Sequence, residues 1–160
     1  MKEQLLMILE KNARLSIDQL ASLLNTTPQQ AAAEIEKLEK EGVILGYRSI
    51  IDWDKTDRDV CHARIEVQVT PEGGVGFEDI AARICQFEEV ETVYLMSGGY
   101  DIAVTITGKT FKDVALFVAH RLSPLEGVRS TATSFVLRKY KERGCNLLDQ
   151  DGDGREVTNL

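Results

Sequence analysis

The sequence predicts an α+β protein, with an N-terminal winged helix-turn-helix followed by a ferredoxin-like βαββαβ unit. Three amphipathic stretches with capping signals occupy the chain up to Gly42. Further on, Phe77-Glu78-Asp79-Ile80-Ala81 and Phe111-Lys112-Asp113-Val114-Ala115 open two helical patterns that match in Phe, Asp and Ala. Between them, the apolar runs ending at Met96 and beginning at Ile102 are joined through Ser97-Gly98-Gly99, a β-hairpin signal. Two similar strand-helix-strand halves about a central hairpin make the βαββαβ plan.

With 160 residues and 43% apolar content, the chain can bury one or two small cores. No apolar run approaches a membrane span, and Met1-Lys2-Glu3 reaches Glu10 before a signal-peptide core forms, so a cytoplasmic protein is expected. The cysteines Cys61, Cys85 and Cys145 form no CxxC pair, and only His62 and His120 supply imidazoles. Neither a disulfide framework nor a metal site is expected, and no cofactor is implied. A net charge of -7 argues against indiscriminate binding to polyanions, while leaving room for a local basic face.

Taken in order, Leu5, Ile8 and Leu9 share one face of the first helix. Ser16 and Gln19 then form a capping box for the second helix, which turns Ile17, Leu20, Ala21 and Leu24 inward. Thr27 and Gln30 make another box, with Pro28 at the first helical position and Gly42 as the stop, so the third helix spans the intervening residues. Val43 to Tyr47 and Ser49 to Ile51 read as β segments of a small wing. Residues 1–52 are assigned to this domain, and the charged, aperiodic residues 53–61 to a hinge.

From Ala63 to Val69 strict alternation marks a strand with Arg64, Glu66 and Gln68 on its polar face. Pro71-Glu72-Gly73-Gly74 breaks it, and the two helices opening at Phe77 and Phe111, the second capped by Thr110 and Asp113, are expected to cover one face of a single sheet. Tyr94, Phe135 and Leu137 are candidates for the uncovered face, where a second copy would dock. Residues 62–143 form this domain and 144–160 an acidic tail expected to be disordered. Within the tail, Asp149 to Gly154 imitates the start of a calcium loop, but its twelfth position falls on Leu160 where a bidentate Glu is required.

Helix-turn-helix spacing suits a third helix in the DNA major groove, and equally a three-helix protein-docking module. The residues resemble the Lrp/AsnC, or feast/famine, family of transcriptional regulators. That resemblance rests on Asn12-Ala13-Arg14, Leu20-Ala21, Leu38-Glu39-Lys40-Glu41-Gly42-Val43-Ile44-Leu45-Gly46-Tyr47, Gly99-Tyr100-Asp101 and Gly127-Val128-Arg129-Ser130-Thr131. It implies that the second domain is the family's ligand-binding RAM domain and that the protein's partners are double-stranded DNA, an amino acid or related metabolite, and further copies of itself as a homodimer and higher oligomer; with no Ser/His/Asp, Cys/His or paired-carboxylate cluster legible, no enzyme is expected.

On this reading Thr27, Gln29, Gln30 and Ala33 lie near bases, Pro28 at the helix start belongs to the same DNA-binding set, and Lys37 and Arg48 lie near phosphates. One departure from the family's basic recognition helix stands out: Lys37 and Lys40 face Glu34, Glu36, Glu39 and Glu41, a net of -2. A helix so charged neutralises few phosphates. For the effector, the backbone of Gly98 and Gly99 with Tyr100 and Asp101, together with the hydroxyls of Thr131 and Thr133, would recognise both ends of a free amino acid. Two alternatives stand beside this reading: a ligand sensor whose helix-turn-helix docks protein rather than DNA, and a haem-biosynthesis decarboxylase of the same architecture.

Overall fold

The computed structural model describes residues 1–70 and 76–148 and divides into two compact units, Met1–Ser49 and the chain from Ile50 on. The Pro71-to-Gly74 break and the calcium-loop imitation at 149–160 lie outside the described residues.

In the first unit, α1 (Lys2–Lys11), α2 (Ile17–Leu23) and α3 (Pro28–Lys40) enclose Leu5, Leu9, Leu20 and Leu38. Both capping boxes form: Ser16 Oγ accepts from Gln19 N–H at 3.2 Å, and Thr27 Oγ1 from Gln30 N–H at 3.2 Å. The helix ends are as definite as the starts. Asn25 (φ 50°) closes α2 and Gly42 (φ 68°) closes α3 in the left-handed region, with Thr26 N–H returning to Ala21 O and Val43 N–H to Leu38 O, each at 2.9 Å. The tight turn between α2 and α3 is therefore fixed by Asn25 at one end and Thr27 at the other.

The expected wing is not a β structure. Residues 44–52 run without a strand ladder, and Leu45 is 91% exposed. A strand needs a hydrogen-bonding neighbour, and the Tyr47 hydroxyl, bonded to Glu39 Oε1 at 3.0 Å, ties the chain to α3 instead of to a returning strand. Within the expected hinge, Trp53–Lys55 makes one 3₁₀ turn and Arg58 lies 4.6 Å from the Trp53 ring.

The second unit holds β1 (Cys61–Val69), α4 (Phe77–Ile84), β2 (Val90–Leu95), β3 (Ile102–Gly108), α5 (Phe111–Phe117) and β4 (Val128–Phe135). The strands form one antiparallel sheet in the order β2-β3-β1-β4. Cys61, Ala63, Ile65, Val67 and Val69 alternate into the core against Ile80, Ile84, Val114 and Leu122 of the helical layer. After α5 the helix widens into a π turn, Val118–Leu122. A further hairpin follows the sheet: β5 (Lys141–Glu142) pairs with β6 (Cys145–Asn146). This corrects the tail boundary, because the residues from 144 through 148 belong to an ordered hairpin; Gly144 (φ 87°) supplies the left-handed turn that allows it.

Gly127 joins the helical layer to β4 at φ 88°, with its carbonyl accepting from Thr70 N–H at 2.9 Å. A Cβ there would meet Ile80 Cδ1 at 2.5 Å, and Ile80 is fully buried. Gly127→Ala is therefore expected to cost about 2–3 kcal/mol, from overpacking plus the left-handed backbone. Urea denaturation should show a lowered midpoint with an unchanged slope.

Candidate functional site

Two regions bear on function, one in each unit. On α3, Pro28, Gln29, Gln30, Ala32 and Ala33 are exposed, while Ala31 and Leu38 face the core. Gln30 is already occupied: its Oε1 accepts from Thr26 Oγ1 at 2.6 Å and from Thr27 N–H at 3.4 Å. Its carbonyl oxygen secures the helix start, which leaves Gln29 as the uncommitted amide of the pair. Lower on the helix, Lys40 bonds Glu36 at 2.6 Å and Lys37 lies 3.9 Å from Glu41. The Lys40 hydrogen bond holds the Glu36 carboxyl below its ordinary value. Both lysines of the helix thus have a glutamate four residues away for company. Arg48 is exposed and makes no ion pair among the described residues.

In the second unit, residues 96–101 connect β2 to β3, closed by Met96 N–H to Asp101 O at 2.8 Å. The loop is pinned to the central strand on both sides. Asp101 N–H donates to Val67 O at 3.1 Å, and Asp101 Oδ2 accepts from Val69 N–H at 2.8 Å. Gln68 Nε2 donates to Gly99 O at 3.2 Å, while Gln68 Oε1 accepts from Arg129 Nη2 at 2.6 Å and Ser130 Oγ at 3.0 Å. Arg64 Nη2 donates to the Tyr100 hydroxyl at 2.9 Å. Space above Gly98 and Gly99 is open, with nothing within 4 Å of where either Cβ would stand.

The two threonines do not join this cluster. Thr131 pairs with Val67 and Thr133 with Ile65, so both stand on the helix-covered face, and Thr131 Oγ1 lies 3.1 Å from Ser123 Oγ. Cross-strand partners share a face, and one residue of offset moves a side chain through the sheet. Phe135 is corrected for the same reason: opposite Ala63, it packs on the core and on Phe111, with ring centroids 4.7 Å apart, rather than on the open face. Tyr94, opposite Ala103, does face outward and is 59% exposed. The sequence reading missed Arg64 and Gln68 as holders of the loop. Their polar face was legible, but only the strand order puts that face beside Tyr100 and Gly99.

His62, the more enclosed of the two histidines, contacts Thr107 Oγ1 through Nδ1 at 3.1 Å, and that hydroxyl donates to Glu91. One hydroxyl has one proton, so Nδ1 carries the hydrogen. Burial, with the Lys139 cation nearby, lowers the ring below its ordinary value, against the pull of Glu91, Glu142 and Asp54.

A capped helix-turn-helix linked to an antiparallel α+β sandwich with a hydrogen-bonded loop at its open face defines a two-domain regulator, one unit built to meet DNA and one to meet a ligand. Residues 2–44 match the winged helix-turn-helix DNA-binding model, and residues 62–145 match the Lrp/AsnC ligand binding domain. The chain belongs to the Lrp/AsnC family of transcriptional regulators. The Bacillus subtilis HTH-type transcriptional regulator YugG, itself uncharacterized, is 45% identical over 155 residues, covering 96% of this chain and 93% of the relative. The crystal structure of PH0061 superposes with a TM-score of 0.75 at 27% identity, over 88% of this chain and 93% of that one. Regulator NMB0573 of Neisseria meningitidis, solved as an L-Met complex, shares the fold with a TM-score of 0.70 at 23% identity, over 88% and 90% of the two chains. Membership places the chain among DNA-binding regulators, not enzymes, which sets aside the decarboxylase reading.

Asp101 has a structural duty that any ligand test must respect. Asp101→Ala orphans the part-buried Val69 N–H and should cost about 1–3 kcal/mol. Asp101→Asn keeps an acceptor and should lose less than half of that. Paired thermal melts of the two variants check the difference.

Proposed function

We propose that the protein reads duplex DNA with the first two turns of α3 and that a free amino acid or a related small metabolite, bound at the 96–101 loop, tunes its assembly and its DNA affinity. What carries the DNA half is the distribution of charge along α3. From Thr27 to Ala33 the helix has no acidic side chain, and its glutamates begin only at Glu34. Base edges are met by the N-terminal residues of a recognition helix, where the macrodipole is positive and Thr27, Pro28, Gln29 and Ala33 are available. Gln29 takes the base-reading role, Lys37 and Arg48 approach phosphates, and Gln30 serves chiefly to hold the helix start.

The effector half rests on the open backbone of Gly98 and Gly99 beside Tyr100, Asp101 and the guanidiniums of Arg64 and Arg129. A carboxylate finds N–H groups and cations there, and the Asp101 oxygen not bonded to Val69 is an acceptor for an ammonium group. Thr131 and Thr133 lie on the other face and form no part of this site. The L-Met complex of the Neisseria relative supports the choice of ligand class. Working as a cytoplasmic homodimer, and in larger assemblies of dimers, the protein would cover its open sheet face with a second copy. Ala103 and Ala132, flanking Glu66, let two sheets approach closely.

Footprinting at the protein's own promoter, at low salt, with and without an amino-acid mixture, tests the reading. A defined footprint that shifts or changes affinity with the mixture is expected, and the absence of any footprint overturns it. Lys37→Glu should weaken binding to all sequences alike, whereas Gln29→Ala should relax preference at one base position by about 1–3 kcal/mol. For assembly, Tyr94→Glu should lower the mass seen in sedimentation without unfolding the chain, because Tyr94 already faces solvent in the single copy.

A further inference from the structure

We propose that the C-terminal β5-β6 hairpin and the residues leading into it form a second DNA-contacting element, which grips the phosphate backbone through Arg138, Lys141 and Arg143. The inference rests on the DNA-binding reading above and says where its missing positive charge is found. Residues 1–49 have six Lys and Arg against seven Asp and Glu, a net of -1, and both lysines of α3 sit beside glutamates. Non-specific affinity comes from releasing counterions as phosphates are neutralised, so such a unit holds DNA weakly by itself.

The rest of the chain offers one concentrated exception to its acidity. Residues 136–148 have four cations, Arg138, Lys139, Lys141 and Arg143, against the single carboxylate Glu142, a local net of +3 in a chain of -7. Lys139, half-buried, is taken by Glu142 at 3.1 Å. The other three are exposed and make no ion pair among the described residues; Arg138 lies 5.4 Å from the exposed Tyr140 ring. A guanidinium spread over an aromatic face keeps its outer N–H fork for an anion.

The turn adds an independent observation. Arg143 at φ 44° and Gly144 at φ 87° make the two-residue connection between the paired residues Glu142 and Cys145. Such turns favour Asn at the first position, because a bulkier L-residue in the left-handed region is strained by about 1 kcal/mol or more. An arginine in this turn places a cation between the two strands' ends at a cost to the fold. Strain of that kind points to a role in binding. Phosphate is the partner this chemistry fits: three exposed cationic donors lie within six residues, two of them on the hairpin and Arg138 just before it.

The full-length chain is compared with a variant combining Arg138→Gln, Lys141→Gln and Arg143→Asn, on the DNA fragment that the unsubstituted chain protects, with affinity measured as salt is raised. Asn suits the left-handed turn, so the hairpin is kept, and a urea melt confirms it. The variant should lose affinity equally for the protected fragment and for unrelated DNA, and its log-log salt slope should be shallower by about 2–3 units, near 0.9 per lost phosphate contact. A companion, Lys109→Gln with Lys112→Gln, removes exposed cations elsewhere and should leave the slope unchanged. An unaltered slope in the hairpin variant overturns the proposal, as it would if the hairpin instead docks an acidic protein. An equal per-cation effect in the companion overturns it too, because net charge would then suffice. If the unsubstituted chain binds no DNA, the DNA-binding reading itself fails and this one falls with it.

Discussion

The alternation of β1 is the constraint from which the rest of the second unit follows. Its odd-numbered residues from Cys61 to Val69 point into the helical layer, and Ala63, Ile65 and Val67 are completely removed from solvent. Ile65 and Val67 contribute about 1.5–3 kcal/mol each by burial, so no one-residue slip of this strand is tolerable. With its register locked between β3 and β4, its even-numbered residues have no freedom either. Arg64 must meet Tyr100, and Gln68 must stand among Gly99, Arg129 and Ser130. Even the loop's attachment uses this strand, through Val67 O and Val69 N–H. The 96–101 loop is therefore set by the core, not merely appended to it.

That dependence explains which parts of the structure were legible in the sequence. Features governed by near neighbours were readable: the Ser16-Gln19, Thr27-Gln30 and Thr110-Asp113 boxes, the Gly42 stop and the alternation of β1 all involve residues within a few positions. Features governed by partners far along the chain were not. Thr133 and Phe135 have no local property that tells which face they take; only their pairing with Ile65 and Ala63 decides it. The wing failed for a related reason, since apolar β-formers such as Ile44 and Ile50 predict a strand only when something is there to pair with them. In the hairpin at 141–146, Arg143 hid a turn that Asn in its place would have announced.

Electrostatics divides the labour in α3 in a way that composition alone obscures. A net of -2 over the helix suggests a surface that repels DNA, yet the charge is not spread evenly. Its glutamates lie in the second half, two of them beside lysines, and leave the first two turns neutral with the helix dipole unopposed. Specificity and affinity are separable in protein–DNA recognition, because base edges are read by few side chains and phosphates by many. A helix poor in cations can therefore still select a sequence, provided the phosphates are held elsewhere. In the proposed assembly this separation would make binding depend on copy number, since each copy on one DNA would contribute its own phosphate contacts.

For an effector to control such a protein, it must bind one arrangement of the copies better than another, and by no more than that difference can it shift them. Arg64 is where the 96–101 loop meets the outward face of the sheet. Its guanidinium donates to the Tyr100 hydroxyl, and it stands with Glu66 on the outward face of β1, the face that the proposed second copy would cover. Under the proposed assembly and ligand site, a carboxylate that drew Arg64 from Tyr100 would change the face offered to a second copy, and a copy that engaged Arg64 would change the loop offered to the ligand. Coupling of this kind is reciprocal by necessity. Because the loop is held by a few backbone and side-chain hydrogen bonds worth about 1 kcal/mol each, and not by buried apolar area, its rearrangement lies within the reach of a small ligand's binding energy. The core beneath it, with Ile65 and Val67 fully buried, does not.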